Sequence, residues 1–397
     1  MAQFRFAGRV FSRLPISLRF ALPATLSLVL AVPGYAQTPP APAPDVITFT
    51  NGDQLTGKLL NEVAGSVTFH SDIAGDVTVT WDKIKSIHTS QQFAVVQQGQ
   101  RVTRKTADTD IAHGPIEVEN DEVKVGIPAA AKDIPVKSAQ YMIDQATYDK
   151  EVRRNPGWGY GWNGSITAGA ALVEATQNSR NFTGAATLSR TIPTVNWLDP
   201  RERTVVDFSA AYGNVSQPGT TAGIKTNIIE FDAEHDWYFT PRFYFLVDSS
   251  LAHNYSQGLS LQQVYGGGLG YTVLKTPKQE LDAKFDIHFE RQSYFVTPNI
   301  VPPPPLTPSK NLVGADFGDT YMLKLPKGLV FNQTAVITPA FNNTNAWSAV
   351  ATAGLVFPVY KRLGFSVGTL DDFLNDPAIG SKKNSFQFTA GVNYTLK

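Results

Sequence analysis

Residues 225–239 read KTNIIEFDAEHDWYF. Ile229, Phe231, Ala233, His235, Trp237 and Phe239 alternate with Ile228, Glu230, Asp232, Glu234, Asp236 and Tyr238, and a period of two puts successive side chains on opposite faces of a strand. One face is mostly apolar and ends in aromatic rings. The other carries four carboxylates. A helix would mix the two sets. Thr240-Pro241 then reverses the chain, after which Phe243, Phe245, Val247 and Leu251 continue one face and Tyr244, Asp248 and Ser250 the other. Such a hairpin has two solutions. In a water-soluble sandwich the carboxylates point to bulk water and the rings to a core; in a membrane barrel the carboxylates face a wet lumen and the rings face lipid.

The same alternation runs outward from this hairpin to both ends of the segment 157–397. Twelve strands are predicted, over 161–173, 182–192, 203–215, 225–239, 242–254, 261–274, 279–294, 312–325, 329–341, 346–357, 362–372 and 385–396. Their number is even and their lengths suit tilted membrane strands. Connections after the fourth, sixth, eighth and tenth are short: Thr240-Pro241, KTPK at 275–278, PKG at 326–328 and PVYK at 358–361. Those after odd strands are longer, above all 295–311 and 373–384, and alternating short and long loops are expected of a barrel inserted from one side. Only the ten-residue connection 193–202 breaks the rule. Trp237, Phe239, Phe243, Tyr271, Phe331, Phe357 and Tyr360 gather beside the short turns, forming the aromatic girdle expected where a barrel meets headgroups. A large soluble sandwich would need continuously apolar strand faces or irregular loops. The fold class is therefore all-β, a transmembrane antiparallel β-barrel of about twelve strands preceded by a small β-domain.

Composition excludes several other classes. After residue 36 there is no run of 18 uncharged apolar residues, which rules out a helical membrane bundle. The chain has no cysteine, so disulfides, thiol catalysis and thiolate metal sites are excluded. Residues 1–36 read as a secretory signal peptide, with Arg5, Arg9, Arg13 and Arg19, an apolar core over 20–32, and small residues at Gly34 and Ala36. Without it, 30 basic side chains face 34 acidic ones, a balance that argues against nucleic acid as a partner. QTPPAPAP at 37–44 is a proline-rich linker.

Residues 45–144 are expected to form one or two periplasmic β-modules. Strands at 46–49, 55–59, 66–70, 76–81 and 84–88, separated by turns such as Asn51-Gly52-Asp53 and Ala74-Gly75, suggest a small closed barrel of the SH3 or Sm-like kind. A second set over 93–144 reads as a degraded repeat of the first. A small barrel without metal-ligand spacing is expected to bind a partner, either a periplasmic protein or the cell wall. Asn155-Pro156 closes the segment.

TPRFYFLVDSSLAHNYSQGLSLQQVYGGGLGYTVLKTPKQELDAKFDIHFERQSY at 240–294 resembles the YdiY-like family of salt-induced outer-membrane proteins, a domain of unknown function. GSKKNSFQFTAGVNYTL at 380–396 resembles the closing hairpin of that family, and NGDQLTGKL with AGDVTVTW resembles the small β-domain of its longer members. The resemblance implies an outer-membrane location in a Gram-negative-type envelope, contact with outer-membrane lipid, and assembly by the barrel assembly machinery. It names no chemistry. Outer-membrane barrels typically end in an aromatic residue, whereas this chain ends Tyr394-Thr395-Leu396-Lys397; either Leu396 stands in for the aromatic or the assembly signal is weakened.

Enzymatic chemistry is the competing class. His288, flanked on the polar row by Asp286 and Glu290, is the one histidine in an acidic row and would serve an outer-membrane hydrolase. Residues i and i+2 stand about 7 Å apart along a strand, however, too far for direct hydrogen bonds, and no serine elbow accompanies them. Gly266-Gly267-Gly268-Leu269-Gly270 precedes no helix and is read as room for large neighbours or a strand bend. Asp53, Asp72 and Asp76 fit no calcium loop, so neither a cofactor nor a metal is expected. The non-enzymatic reading is a structural or passive-channel barrel. Glu230, Asp232, Glu234, Asp236, Asp248, Asp282, Asp286, Glu290 and Asp316 are expected to line its lumen, with Lys284 and Lys324 as the only offset from those strands.

Overall fold

The computed structural model describes residues 43–100, 111–126, 131–154, 156–174, 178–216, 224–295, 309–378 and 381–396. The predicted signal peptide and nearly all of the proline-rich linker lie outside them.

Eleven short strands come first: β1 (Asp45–Phe49), β2 (Gln54–Val63), β3 (Ser66–Ser71), β4 (Gly75–Thr80), β5 (Ile84–His88), β6 (Phe93–Gln97), β7 (Ala112–Gly114), β8 (Ile116–Glu119), β9 (Glu122–Val125), β10 (Lys132–Pro135) and β11 (Ala139–Asp144). All belong to one sheet, in the order β10-β9-β8-β5-β1-β2-β11-β6-β7, with β3 pairing β2 and β4. This corrects the expected repeat. The later strands are interleaved with the earlier ones, since β8 adds to β5 and β11 adds to β2, so both sets share one core. Ile47, Leu59, Phe69 and Ile87 from the first set pack there with Phe93, Ile116, Val123 and Met142 from the second. The chain continues through two short helical turns that the sequence reading missed, Gln145–Thr147 and the π-helical Tyr148–Arg153.

Twelve long strands then close into a barrel, each paired antiparallel with the next. They are β12 (Trp162–Glu174), β13 (Asn178–Ile192), β14 (Glu202–Ser216), β15 (Ile224–Tyr238), β16 (Phe243–Asn254), β17 (Leu259–Lys275), β18 (Gln279–Tyr294), β19 (Ser309–Lys324), β20 (Val330–Thr338), β21 (Ser348–Tyr360), β22 (Leu363–Leu374) and β23 (Asn384–Leu396). Closure is by β23 on β12, with Leu396 opposite Gly164 and Val392 opposite Ala168. A closed sheet has no edge on which another strand could add.

The polarity of the wall is inverted relative to a water-soluble protein. Asp236 is 0% exposed while its neighbour Trp237 is 40% exposed. Phe182, Phe208, Phe231, Phe285, Phe317 and Phe365 likewise lie open on the outer face.

Several predicted boundaries shift, among them the starts of β13 at Asn178 and β19 at Ser309, and two shifts have a visible cause. The strand expected over 329–341 ends at Thr338, because the following loop turns back along the rim of β19, where Phe341 N–H donates to the Val313 carbonyl and Asn342 holds Asn311. The turn expected at 358–361 is shorter. Pro358 and Tyr360 remain in β21, a bulge absorbs the proline, and Lys361 reverses the chain with φ 48°.

The irregular connection 193–202 has a structural reason. Trp197 and Leu198 pack on Ala94, Val96, Ile143, Tyr148 and Val152 from the amino-terminal segment. Glu151, 1% exposed, accepts hydrogen bonds from Thr194 N–H (2.7 Å) and Thr194 Oγ1 (2.8 Å), while Arg201 donates to the carbonyls of Glu151 and Val152. Arg190 anchors the linker by donating to the carbonyls of Pro156 and Tyr160. This connection is long because it forms the seat for the module.

Candidate functional site

Contacts between strands that are not neighbours must cross the barrel interior, and they identify which rows face inward. Lys284 Nζ on β18 reaches both oxygens of Glu234 on β15, at 2.6 and 2.7 Å. Arg203 on β14 binds Asp236 Oδ2 on the adjacent β15 at 2.6 Å, then crosses to Asp282 Oδ2 and Glu280 Oε1 on β18 at 2.7 and 3.3 Å. Its guanidinium lies over the rings of Tyr244 and Tyr238, with centroids at 5.1 and 5.8 Å. At the opposite end Asn254 Nδ2 on β16 donates to Asp372 Oδ2 on β22, and Lys310 binds Asp376 Oδ2 at 2.5 Å. The interior is braced at both ends.

The nine acidic residues named from sequence distribute as follows. Asp236, Asp282, Asp286 and Glu290 are buried; Glu230, Glu234, Asp248 and Asp316 are half-buried; Asp232 stays exposed on the same row. Ser209 donates to Glu230, and Gln262 and Gln292 both donate to Glu290 Oε1. Sequence reasoning missed three interior residues. Arg203, rather than Lys324, joins Lys284 among the interior cations: Lys324 lies exposed beside the short turn, whereas Arg203 makes three ion pairs. Asp207 stands directly opposite Asp232, and Asp372 holds Asn254. The signal for Arg203 and Asp207 was their shared parity in the third strand.

His288 requires another correction. The expected spacing kept it from Asp286, but the two side chains lean together until Nδ1 is 3.3 Å from Asp286 Oδ1. Asp316 Oδ2, on the neighbouring strand, is 3.6 Å from the same nitrogen. Asp286 and Asp316 are register partners, a juxtaposition that spacing within one strand does not reveal. His288 Nε2 is buried without a hydrogen-bond partner among the described residues.

The glycine run makes room for bulk, one of the two roles expected of it. Gly266, Gly268 and Gly270 on β17 stand opposite His288, Asp286 and Lys284 on β18. A Cβ on Gly270 would lie 2.1 Å from the Tyr244 ring, and one on Gly268 would lie 2.6 Å from Asp286 Cβ. The facing wall carries mostly small and neutral side chains, including Thr167, Gly354, Ser366, Gly368 and Thr389, with Asp372 on the same row of β22.

The seven girdle aromatics lie on the outer face or at the turns of the short-turn end. Trp237, Phe239, Tyr271 and Tyr360 are exposed, and Phe243, Phe331 and Phe357 are half-exposed. Trp237 stacks on Phe245, with ring centroids 5.8 Å apart.

Residues 166–396 match the family described as "Protein of unknown function, DUF481". No curated protein matches the chain. Among solved structures, the NanC porin aligns at 7% identity and TM-score 0.35, covering 59% of this chain and 100% of the porin. The translocator domain of the autotransporter NalP from Neisseria meningitidis aligns at 12% identity and TM-score 0.30, covering 59% and 87%. The outer membrane channel DcaP of Acinetobacter baumannii aligns at 10% identity and TM-score 0.27, covering 89% and 94%. At such scores no functional argument follows from them.

Proposed function

The chain belongs to the DUF481 family of proteins of unknown function, and on that premise we propose that it is an outer-membrane β-barrel whose narrow, carboxylate-rich interior gives small cations a passive route. What carries the membrane reading is the reversal at consecutive residues, a fully buried Asp236 beside an open Trp237, on a sheet without edges. Water would penalise an outer face of phenylalanines; lipid favours it. No helix among the described residues is long and apolar enough to cross a membrane. The girdle aromatics mark the headgroup level at the short-turn end, which faces the periplasm on this reading. The amino-terminal module packs on the 193–202 connection at that same end, and on this reading it meets a periplasmic protein or the cell wall there. On the same reading outer-membrane lipid surrounds the barrel, and the barrel assembly machinery inserts it.

The cation preference rests on an imbalance. Lys284 and Arg203 are engaged by Glu234, Asp236 and Asp282, whereas Glu230, Asp232, Asp248 and Asp372 have no cation against them among the described ion pairs. Such a wall attracts positive ions and repels negative ones. Full-length protein reconstituted in a planar bilayer is expected to give a small cation-selective conductance, and Glu230→Gln with Asp232→Asn and Glu234→Gln should move that selectivity toward anions, since Lys284 is then unneutralised. Absence of conductance from correctly folded protein would remove the channel and leave a structural barrel.

A further inference from the structure

The geometry points to a divalent-metal site inside the barrel, formed by Asp286 and His288 of β18 with Asp316 of β19, and we propose that it takes one first-row transition ion, Zn2+ foremost. The spacing is that of ligands to a single ion. Nδ1 of His288 lies 3.3 Å from Asp286 Oδ1 and 3.6 Å from Asp316 Oδ2; donors about 2.1 Å from a tetrahedral Zn2+ stand about 3.4 Å from one another. One ligand atom from each of the three residues falls within 4.8 Å of the others. An imidazole nitrogen with carboxylate oxygens suits Zn2+ better than the all-oxygen cations.

A second observation, independent of the cluster's own hydrogen bonds, is a buried atom with no partner. Asp248 of β16 is half-buried, and its Oδ1 atom is buried with no hydrogen-bond partner among the described residues. It is aimed at the same space: a Cβ on Gly266 would stand 2.6 Å from it and 3.0 Å from Asp286 Oδ1. Only a glycine there leaves room for both oxygens; Asp248 stands outside the three-residue group and would reach the ion as a fourth ligand by turning its side chain. His288, 3% exposed, is notched between Gly266 and Gly314, whose Cβ would lie 2.9 Å from Nε2. The site also has outer support, because Thr338 donates to Asp316 Oδ1 at 2.5 Å and leaves Oδ2 free to face the ion. The charge argument agrees. Three buried or half-buried carboxylates meet one imidazole, and the nearest other cations, Lys284 and Arg203, are already engaged; uncompensated charge of this kind is costly away from water.

The test uses the full chain in detergent micelles, stripped with EDTA and titrated with Zn2+ by calorimetry, with Co2+ as an optical probe. One Zn2+ per chain is expected, together with visible Co2+ absorption typical of a four- or five-coordinate site. Asp286→Asn with Asp316→Asn should weaken Zn2+ by more than about 100-fold, and Thr338→Val by about 10-fold, the scale of an outer-shell loss. His88→Gln, which breaks the exposed His88, Glu117 and Glu119 group, should leave that affinity unchanged. Equal binding by the double variant and the parent, or loss of binding in His88→Gln, overturns the assignment. If the double variant does not fold, as judged by gel mobility without boiling, the parent decides: no stoichiometric Zn2+ and a silent Co2+ spectrum would overturn it. Conductance plays no part in this measurement, so the metal site and the cation route stand or fall separately.

Discussion

Glu62 is a carboxylate placed where a neutral side chain would cost less. It is 0% exposed on β2, and Oε1 accepts the Gly65 N–H at 2.7 Å. Burial pushes its pKa up to about 7, against the pull of the Gly65 amide and the Trp81 indole. The sign follows from linkage. Between the ordinary glutamate range and pH 7 the folded chain holds a proton that the unfolded chain has released, so stability falls as pH rises through this window. The loss is complete above about pH 7 and amounts to about 3 kcal/mol. Glu62→Gln keeps the acceptor for Gly65 and removes the charge. Urea unfolding followed through the module at pH 5 and pH 8 should therefore find the variant close to the parent at pH 5 and more stable at pH 8. Parallel midpoints at both pH values would mean that Glu62 ionises at no cost. At Tyr141, burial first and then the Asp199 carboxylate raise the phenol pKa, so it stays protonated through this window and does not blur the test.

Among the elements, the connection 193–202 carries the clearest consequence. Trp197 and Leu198 pack on the module, and Glu151 loses two hydrogen-bond donors if Thr194 moves away. Trp197→Ala should loosen this seat by about 1–3 kcal/mol, because Trp197 is half-buried rather than fully enclosed. Trypsin should then cut the full-length chain at Arg153-Arg154 about 10-fold faster or more, a tenfold change corresponding to about 1.4 kcal/mol of local opening. An unchanged cutting rate would mean that the seat contributes nothing to holding the module. The same element marks the limit of what the chain's pattern reveals. Period-two alternation located all twelve barrel strands, because a wall with lipid on one side and water on the other must alternate at every step. The long connection appeared only as a break in loop lengths; its purpose depends on Ala94 and Tyr148, far away in sequence. The shared parity of the carboxylates follows from the same alternation as the strands. The meeting of His288 with Asp316 does not, since it depends on the register of β18 against β19. Arg203 was hidden by a sparse row, in which one arginine and one aspartate stand among Val205, Ser209 and Ala211.

At the scale of the whole molecule, two cores of different kinds are joined in one chain, and their separability can be measured. Among the described residues, the larger apolar core of the module, from Ile47 to Met142, draws no side chain from the barrel. Residues 45–144 should therefore fold alone into a soluble, strand-rich unit. The smaller core is shared: Ala94, Val96 and Ile143 are covered by Tyr148 and Val152 of the helical turns, and only then by Trp197 and Leu198. Cutting at residue 144 uncovers that patch, while extending to 154 restores Tyr148 and Val152, which are 0% and 4% exposed in the intact chain. Burying two such side chains stabilises by about 2–5 kcal/mol. The 45–154 piece should thus unfold at clearly higher urea than 45–144, with the same β-rich circular dichroism. Equal midpoints would assign the helical turns to the barrel instead, because Tyr148 and Val152 would then be ordered only by Trp197 and Leu198. A random-coil spectrum from both pieces would mean that the interleaved sheet needs the barrel as a template, and the module could not act as an independent unit.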